Sequence, residues 1–123
     1  MKVLITGSRG YVGNRLCQIL RKDYKNKIDI IGLDTNFYQF KKKLEKKIIT
    51  KDIRDIKISD LENIDSVIHL ASLSNDPLGS LNESLTKDIN HLEAGLSQNV
   101  QSGNECKKIY ICFYTKCLRN LKI

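Results

Sequence analysis

The sequence predicts an α/β fold, a doubly wound parallel sheet, and three observations carry that prediction. Short apolar, β-branched runs recur along the chain with helical stretches between them. Those runs are almost continuously apolar, as strands covered on both faces require. A turn with glycine at every third position, Gly7, Gly10 and Gly13, joins the first run to the first helical stretch. With 123 residues the chain is long enough for one domain and too short for two lobes.

The elements follow in order. Strands are expected at "KVLIT" (2–6), "IDIIGL" (28–33), "KIIT" (47–50), "SVIHLA" (66–71) and "KIYICFY" (108–114). Between the first two, "GYVGNRLCQILRK" sets Val12, Leu16, Ile19 and Leu20 at helical spacing, which predicts a helix with that stripe on the sheet. A second long helix is expected over about 82–104, where Leu85, Ile89, Leu92 and Leu96 recur every three or four residues. No internal repeat or linker interrupts the chain.

The glycines sit where the first strand turns into the first helix. Gly7 permits the tight turn, Gly10 removes a side chain where a pyrophosphate approaches the backbone, and Gly13 lets the helix pack closely. The helix start then offers free N–H groups and a partial positive charge to phosphates. Asp34 ends "IIGLD", where a carboxylate can accept both hydroxyls of an adenosine ribose and repel a 2′-phosphate, favouring NAD over NADP. The alternative role for Asp34 is to cap the turn that follows.

Five motifs in order resemble the extended short-chain dehydrogenase/reductase group, specifically the NAD-dependent epimerases and dehydratases of nucleotide sugars. They are "TGSRGYVG" (6–13), "GLD" (32–34), "KDIRD" (51–55), "VIHLASLSNDP" (67–77) and "LTKDIN" (85–90). The resemblance runs through residues 1–108 and implies a Rossmann-like NAD-binding domain there, truncated after about the fifth strand. It implies cofactor contacts from Gly7, Arg9, Gly10, Tyr11, Val12 and Gly13, and from Asp34. Asp52 and Ile53 would border the adenine, with the Asp52 carboxylate near the exocyclic amine; Leu70, Ala71 and Ser72 would pass beside the nicotinamide ribose and phosphates. Asn90 would brace the fourth strand. From the residues alone, Asp52 could equally pair with Arg54 or Lys51, and Asn90 could be an ordinary polar helix residue. His69 alternates with apolar neighbours and is expected to be a buried, hydrogen-bonded structural histidine. His91 receives no role.

The resemblance also implies hydride transfer from a sugar carbon to the nicotinamide. A tyrosine would assist it, its proton loss eased by a lysine four residues later, because a free phenol near pKa 10 is a poor base at neutral pH. The one YxxxK here, Tyr38 to Lys42, follows the second strand on the adenosine side and reads as coincidence. Neither Tyr110 nor Tyr114 has a lysine at the fourth position, so no catalytic residue is assigned. Residues 109–123 depart from the family pattern, in which the fifth strand leads into text like "ASTQSVYG". One free choice of synonymous codons for Lys107 to Asn120, read one base later, spells "KKYIFASTQSVYG". The expectation is that residues from about 109 onward are out of frame, beginning at the adenine run encoding Lys107 and Lys108, and that Cys112 and Cys117 carry no function.

Composition narrows the classes. The net charge of +7 is segregated: +5 over residues 41–51 and −7 over 52–105. Without aromatics interleaved among the lysines, that is a solvated basic segment beside an acidic half, and no nucleic-acid partner is expected. No apolar run has the length of a membrane span or a signal peptide, so a cytoplasmic protein without a membrane partner is expected. Cys17, Cys106, Cys112 and Cys117 form no CxxC pair and no zinc pattern, which predicts reduced thiols and no metal. The function expected is therefore the amino-terminal NAD-binding portion of a nucleotide-sugar epimerase or dehydratase, inactive by itself, with a homodimer if a full-length chain exists. The alternative is a stand-alone dinucleotide-binding regulatory module.

Overall fold

A computed structural model describes residues 1–37, 44–72 and 108–111. Five strands form one all-parallel sheet: β1 (Lys2–Thr6), β2 (Asp29–Asp34), β3 (Lys47–Thr50), β4 (Ser66–His69) and β5 (Lys108–Ile111). Their order is β3-β2-β1-β4-β5, the order of a doubly wound dinucleotide-type sheet. The Rossmann-like α/β class predicted from the sequence is the one observed. Thr6 pairs in register with Leu33 on one side and His69 on the other, so the carboxyl ends of the three central strands lie level.

The alternation of β1, β2 and β4 feeds two cores. Val3 and Ile5 pack with Ile30, Ile68, Cys17 and Leu20 beneath the helix α1 (Tyr11–Tyr24). Leu4, on the opposite face, packs with Leu33, Val67, Ile53, Leu61 and Ile64. The second face is thus covered by the segment 53–64, which contains two short 3₁₀ turns, and the sheet is buried on both sides.

The helix stripe differs from the one expected. Gly13, Cys17 and Leu20 are buried and Leu16 is partly so, whereas Ile19 is 42% exposed. The reason is the closeness of α1 to the loop before it: a Cβ on Gly13 would stand 2.1 Å from the Gly7 carbonyl oxygen. That contact fixes the helix rotation about the 13–17–20 ridge and turns Ile19 outward. Burial pushes the Cys17 thiol up to about 12, helped by the nearby Glu45 charge, so it behaves as a small apolar core residue.

β4 ends at His69 rather than 71. The Thr6 carbonyl still accepts the Leu70 N–H at 3.3 Å, and the Thr6 hydroxyl accepts from Leu70 at 3.1 Å and from Ala71 at 3.2 Å, which turns the chain out of the ladder after Leu70. The expected helix over 82–104, the Tyr38–Lys42 pair, Asn90, His91, Cys106, Cys112 and Cys117 lie outside the described residues.

Candidate functional site

Two cavities flank β2. The larger, about 660 Å³, is lined by Ile28, Asp29 and Ile30 at the amino end of the strand, together with Arg21, Leu44 and Lys46. The smaller, about 330 Å³, opens at the carboxyl ends of four strands. In open parallel sheets ligands enter the crevice outside the carboxyl ends, where strand order reverses, so the smaller cleft is the candidate. After β1 it is lined by Gly7 and Gly10; after β2 by Leu33, Asp34, Thr35 and Phe37. Lys51, Asp52 and Ile53 follow β3, and Leu70, Ala71 and Ser72 follow β4.

The loop between β1 and α1 is shaped for an anion. Gly7 takes a left-handed φ of +66°, and a Cβ on it would press on the Ala71 nitrogen at 3.0 Å. Gly10 precedes α1 without a side-chain cap, and the first helical turn holds no acid, so the helix supplies none of its own negative charge to those N–H groups. Among the described residues, a Cβ on Gly10 would meet only the Gly7 oxygen, at 3.3 Å. The protein itself therefore makes little demand for glycine at position 10, and the space there is left to a ligand.

Asp34 joins two elements. Its Oδ2 accepts the Arg9 backbone N–H at 2.9 Å and its Oδ1 accepts that of Asn36 at 2.9 Å. The turn-capping alternative is therefore realised. A carboxylate offers about four acceptor positions, so the two bonds still leave lone pairs for a diol. Asp52 also takes the role its own residues allowed: Arg54 donates to Oδ1 from Nε at 3.0 Å and to Oδ2 from Nη2 at 2.8 Å, and its backbone N–H caps the 3₁₀ turn through Oδ1. Those bonds from Arg54 hold the Asp52 carboxyl below the ordinary carboxylate range. Lys51 pairs with Asp60 instead, Nζ to Oδ2 at 2.6 Å.

The loop's other residues stand apart from the cleft lining. Tyr11 is 92% exposed, Val12 is half-buried, and Gly13 is buried on the inner side of the first turn of α1. Arg9 turns its side chain into a buried ion pair with Glu45. Two residues escaped the sequence reading. Thr6 braces the β4 end of the cleft through one hydroxyl that accepts from Leu70 and Ala71 and sits 2.7 Å from His69 Nδ1. With two N–H groups donating to it, that hydroxyl gives its own proton to His69, which fixes a neutral imidazole protonated at Nε2. Burial likewise lowers the His69 pKa, in agreement with the structural role expected of it. Thr6 stands next to the first glycine, the signal that could have marked it; Glu45, 36 residues from Arg9, leaves no local signal.

Comparison with known proteins fixes the lineage. The sequence profile of the NAD dependent epimerase/dehydratase family matches residues 3–95. The chain belongs to that family. It is 35% identical over 86 residues to an uncharacterized UDP-glucose epimerase, YtcB, of Bacillus subtilis, covering 59% of this chain and 27% of that protein. Among solved structures, the NAD dependent NDP-hexosamine 5,6-dehydratase TunA matches with a TM-score of 0.72 and 22% identity, over 89% of this chain and 36% of its own. UDP-glucuronic acid 4-epimerase from Bacillus cereus, in complex with NAD, matches with a TM-score of 0.69 and 22% identity, over 90% of this chain and 39% of its own. These structures share the fold. The chain spans between about a quarter and two fifths of the length of these relatives. Among the described residues, no helix is long and apolar enough to cross a membrane, and no cluster of three or more metal-ligating side chains occurs.

Proposed function

We propose that this chain is the amino-terminal NAD-binding portion of a nucleotide-sugar epimerase or dehydratase. The observation that carries the reading is the cleft at the carboxyl strand ends, where Gly10 leaves room that the protein does not need and Asp34 keeps acceptor capacity beside it. The residues fit a dinucleotide. Backbone N–H groups at the start of α1 suit a diphosphate, and Asp34 suits a ribose diol. Ile53 and Leu33 offer apolar surface to a base, while Ala71 and Ser72 line the side reached from β4. Arg54 occupies the Asp52 carboxylate, so adenine recognition rests on shape and apolar contact more than on that acid.

When bound, NAD supplies a hydride acceptor. The chain's own part is to bind and orient it. Thr6 fixes the Leu70–Ala71 backbone, and Asp34 ties the glycine loop to the end of β2. What these 123 residues themselves supply, in this proposal, is coenzyme binding. Residues 109–123 are, in this proposal, an out-of-frame tail, and a nucleotide sugar is the substrate of the intact lineage enzyme; sequencing the gene past the stop codon checks the tail, and absence of an in-frame continuation of epimerase type defeats it. Calorimetric titration tests the binding. Heat with NAD and far less with NADP is expected, whereas a folded sample that gives none with either at millimolar concentration ends the proposal.

A further inference from the structure

Arg9 is the single cation of the glycine loop, and it is rooted beside the ribose-binding candidate, its backbone N–H 2.9 Å from Asp34 Oδ2. An arginine at that place is the ordinary means of holding the 2′-phosphate of NADP. Its guanidinium is instead committed elsewhere. Nε donates to Glu45 Oε1 at 3.1 Å and Nη2 to Oε2 at 3.4 Å, with side-chain exposures of 9% for Arg9 and 3% for Glu45. Neither residue lines the cleft.

Glu45 is itself held in place. The Leu44 backbone N–H donates to its Oε2 at 3.3 Å, Arg21 Nη1 donates to the Leu44 carbonyl at 2.9 Å, and the Lys46 N–H donates to the Ile30 carbonyl at 2.8 Å. Gly32 supplies the space: a Cβ there would lie 2.9 Å from Glu45 Cγ. Pulling Arg9 out of this pair would strand a buried carboxylate without its cation, which is costly.

We propose that Glu45 is a coenzyme-specificity residue, which withholds the Arg9 guanidinium from a 2′-phosphate by keeping it in a buried two-point pair behind the glycine loop. The inference rests on the cleft being a dinucleotide site. It adds a second barrier to NADP: Asp34 repels the phosphate by charge, and Glu45 removes the cation that would offset that repulsion.

The test measures NAD and NADP dissociation constants by calorimetry for the 123-residue chain and its variants. Glu45→Gln is expected to tighten NADP relative to NAD by about tenfold or more, since the freed guanidinium gains a charge-assisted bond, and the gain should fade with salt. The double variant Arg9→Met with Glu45→Leu, which replaces the pair by apolar groups, is expected to keep the parent's NAD-to-NADP ratio within about threefold, because sequestered charges contribute little to it. A folded Glu45→Gln chain with the parent's ratio overturns the inference, as does a double variant showing the same gain. Should Glu45→Gln fail to fold, the double variant decides alone: weaker NADP binding relative to NAD means that Arg9 already serves the phosphate, and the inference falls. Such failures leave NAD binding by the parent intact, whereas a parent that binds neither coenzyme overturns the cleft assignment as well.

Discussion

Alanine at the second and third glycines separates what the fold needs from what the ligand needs. At position 13 the new Cβ would sit 2.1 Å from the Gly7 oxygen and 2.8 Å from the Ser8 α-carbon, both backbone atoms. Helix α1 must move away by roughly 1 Å, and overpacking of that kind costs about 3 kcal/mol, a large share of the stability of a chain this size. At position 10 the one contact is 3.3 Å, and the residue holds φ −72° and ψ 169°, which any amino acid adopts. Relief of unfolded-chain entropy, about 0.4–1 kcal/mol, offsets that slight crowding, so Gly10→Ala should melt within about 4 °C of the parent. Its Cβ nevertheless fills the space into which a diphosphate must come. NAD affinity should fall by about a hundredfold, or about 2.7 kcal/mol, by titration. Gly13→Ala should melt at least about 10 °C lower. A Gly10→Ala chain that binds NAD as the parent does would refute the placement of the diphosphate over Gly10, and equal melting of all three chains would refute the packing argument.

Three further outcomes are expected. Asp34→Asn should weaken NAD by about tenfold and narrow its preference over NADP, because the amide keeps one acceptor oxygen and loses the charge; titration with both coenzymes measures it. Thr6→Val should cost about 2 kcal/mol in urea melts, since it strips a partner from the Ala71 N–H and from His69 Nδ1 and leaves the Leu70 N–H only the Thr6 carbonyl at 3.3 Å; an unchanged midpoint would contradict the bridging role. The His69 pKa is lowered by burial, so the unfolded chain takes up that proton first: its contribution to stability is whole above the ordinary histidine value of 6.5 and is lost as pH falls through the lower folded value. Melting temperature should therefore decline on acidification below about pH 6.5. His69→Gln should lack that part of the decline, and a parallel decline in the variant would count against it.

The strands were legible because a sheet covered on both faces writes itself into the chain as short apolar, β-branched runs, and all five fell where those runs stand. The ends of β1 and β3 were legible too, but not those of β2 and β4. β4 stops short of Ala71 because a side chain of β1 captures the Ala71 N–H, a contact over 65 residues of sequence. The glycine loop and Asp34 were readable from spacing, since backbone geometry imposes it locally. Arg9 was readable as part of the loop, but not the direction of its side chain, which a distant glutamate sets. Ile19 misled for a related reason: helical periodicity gives the width of an apolar stripe, and tertiary contact, here Gly13 against Gly7, chooses its centre.

β5 pairs with β4 through Ile109, Tyr110 and Ile111, beyond the point at which the sequence leaves the family pattern. The proposed out-of-frame tail is compatible with a fifth strand, because adenine- and thymine-rich codons, where used, encode isoleucine, tyrosine, phenylalanine and lysine in either frame. "KIYIC" and the shifted "KYIFA" share β-branched and aromatic bulk. A parallel strand asks for that bulk and a free backbone ladder. Catalysis asks for named groups at fixed places, so a slip of one base, as proposed, would spare the sheet and remove the chemistry. Replacing residues 109–119 by the shifted reading "YIFASTQSVYG" should accordingly leave the melting temperature equal to the parent's or higher. A chain that loses its cooperative transition on that replacement would show that the strand depends on the text now present, and the tail would then have to be read as native.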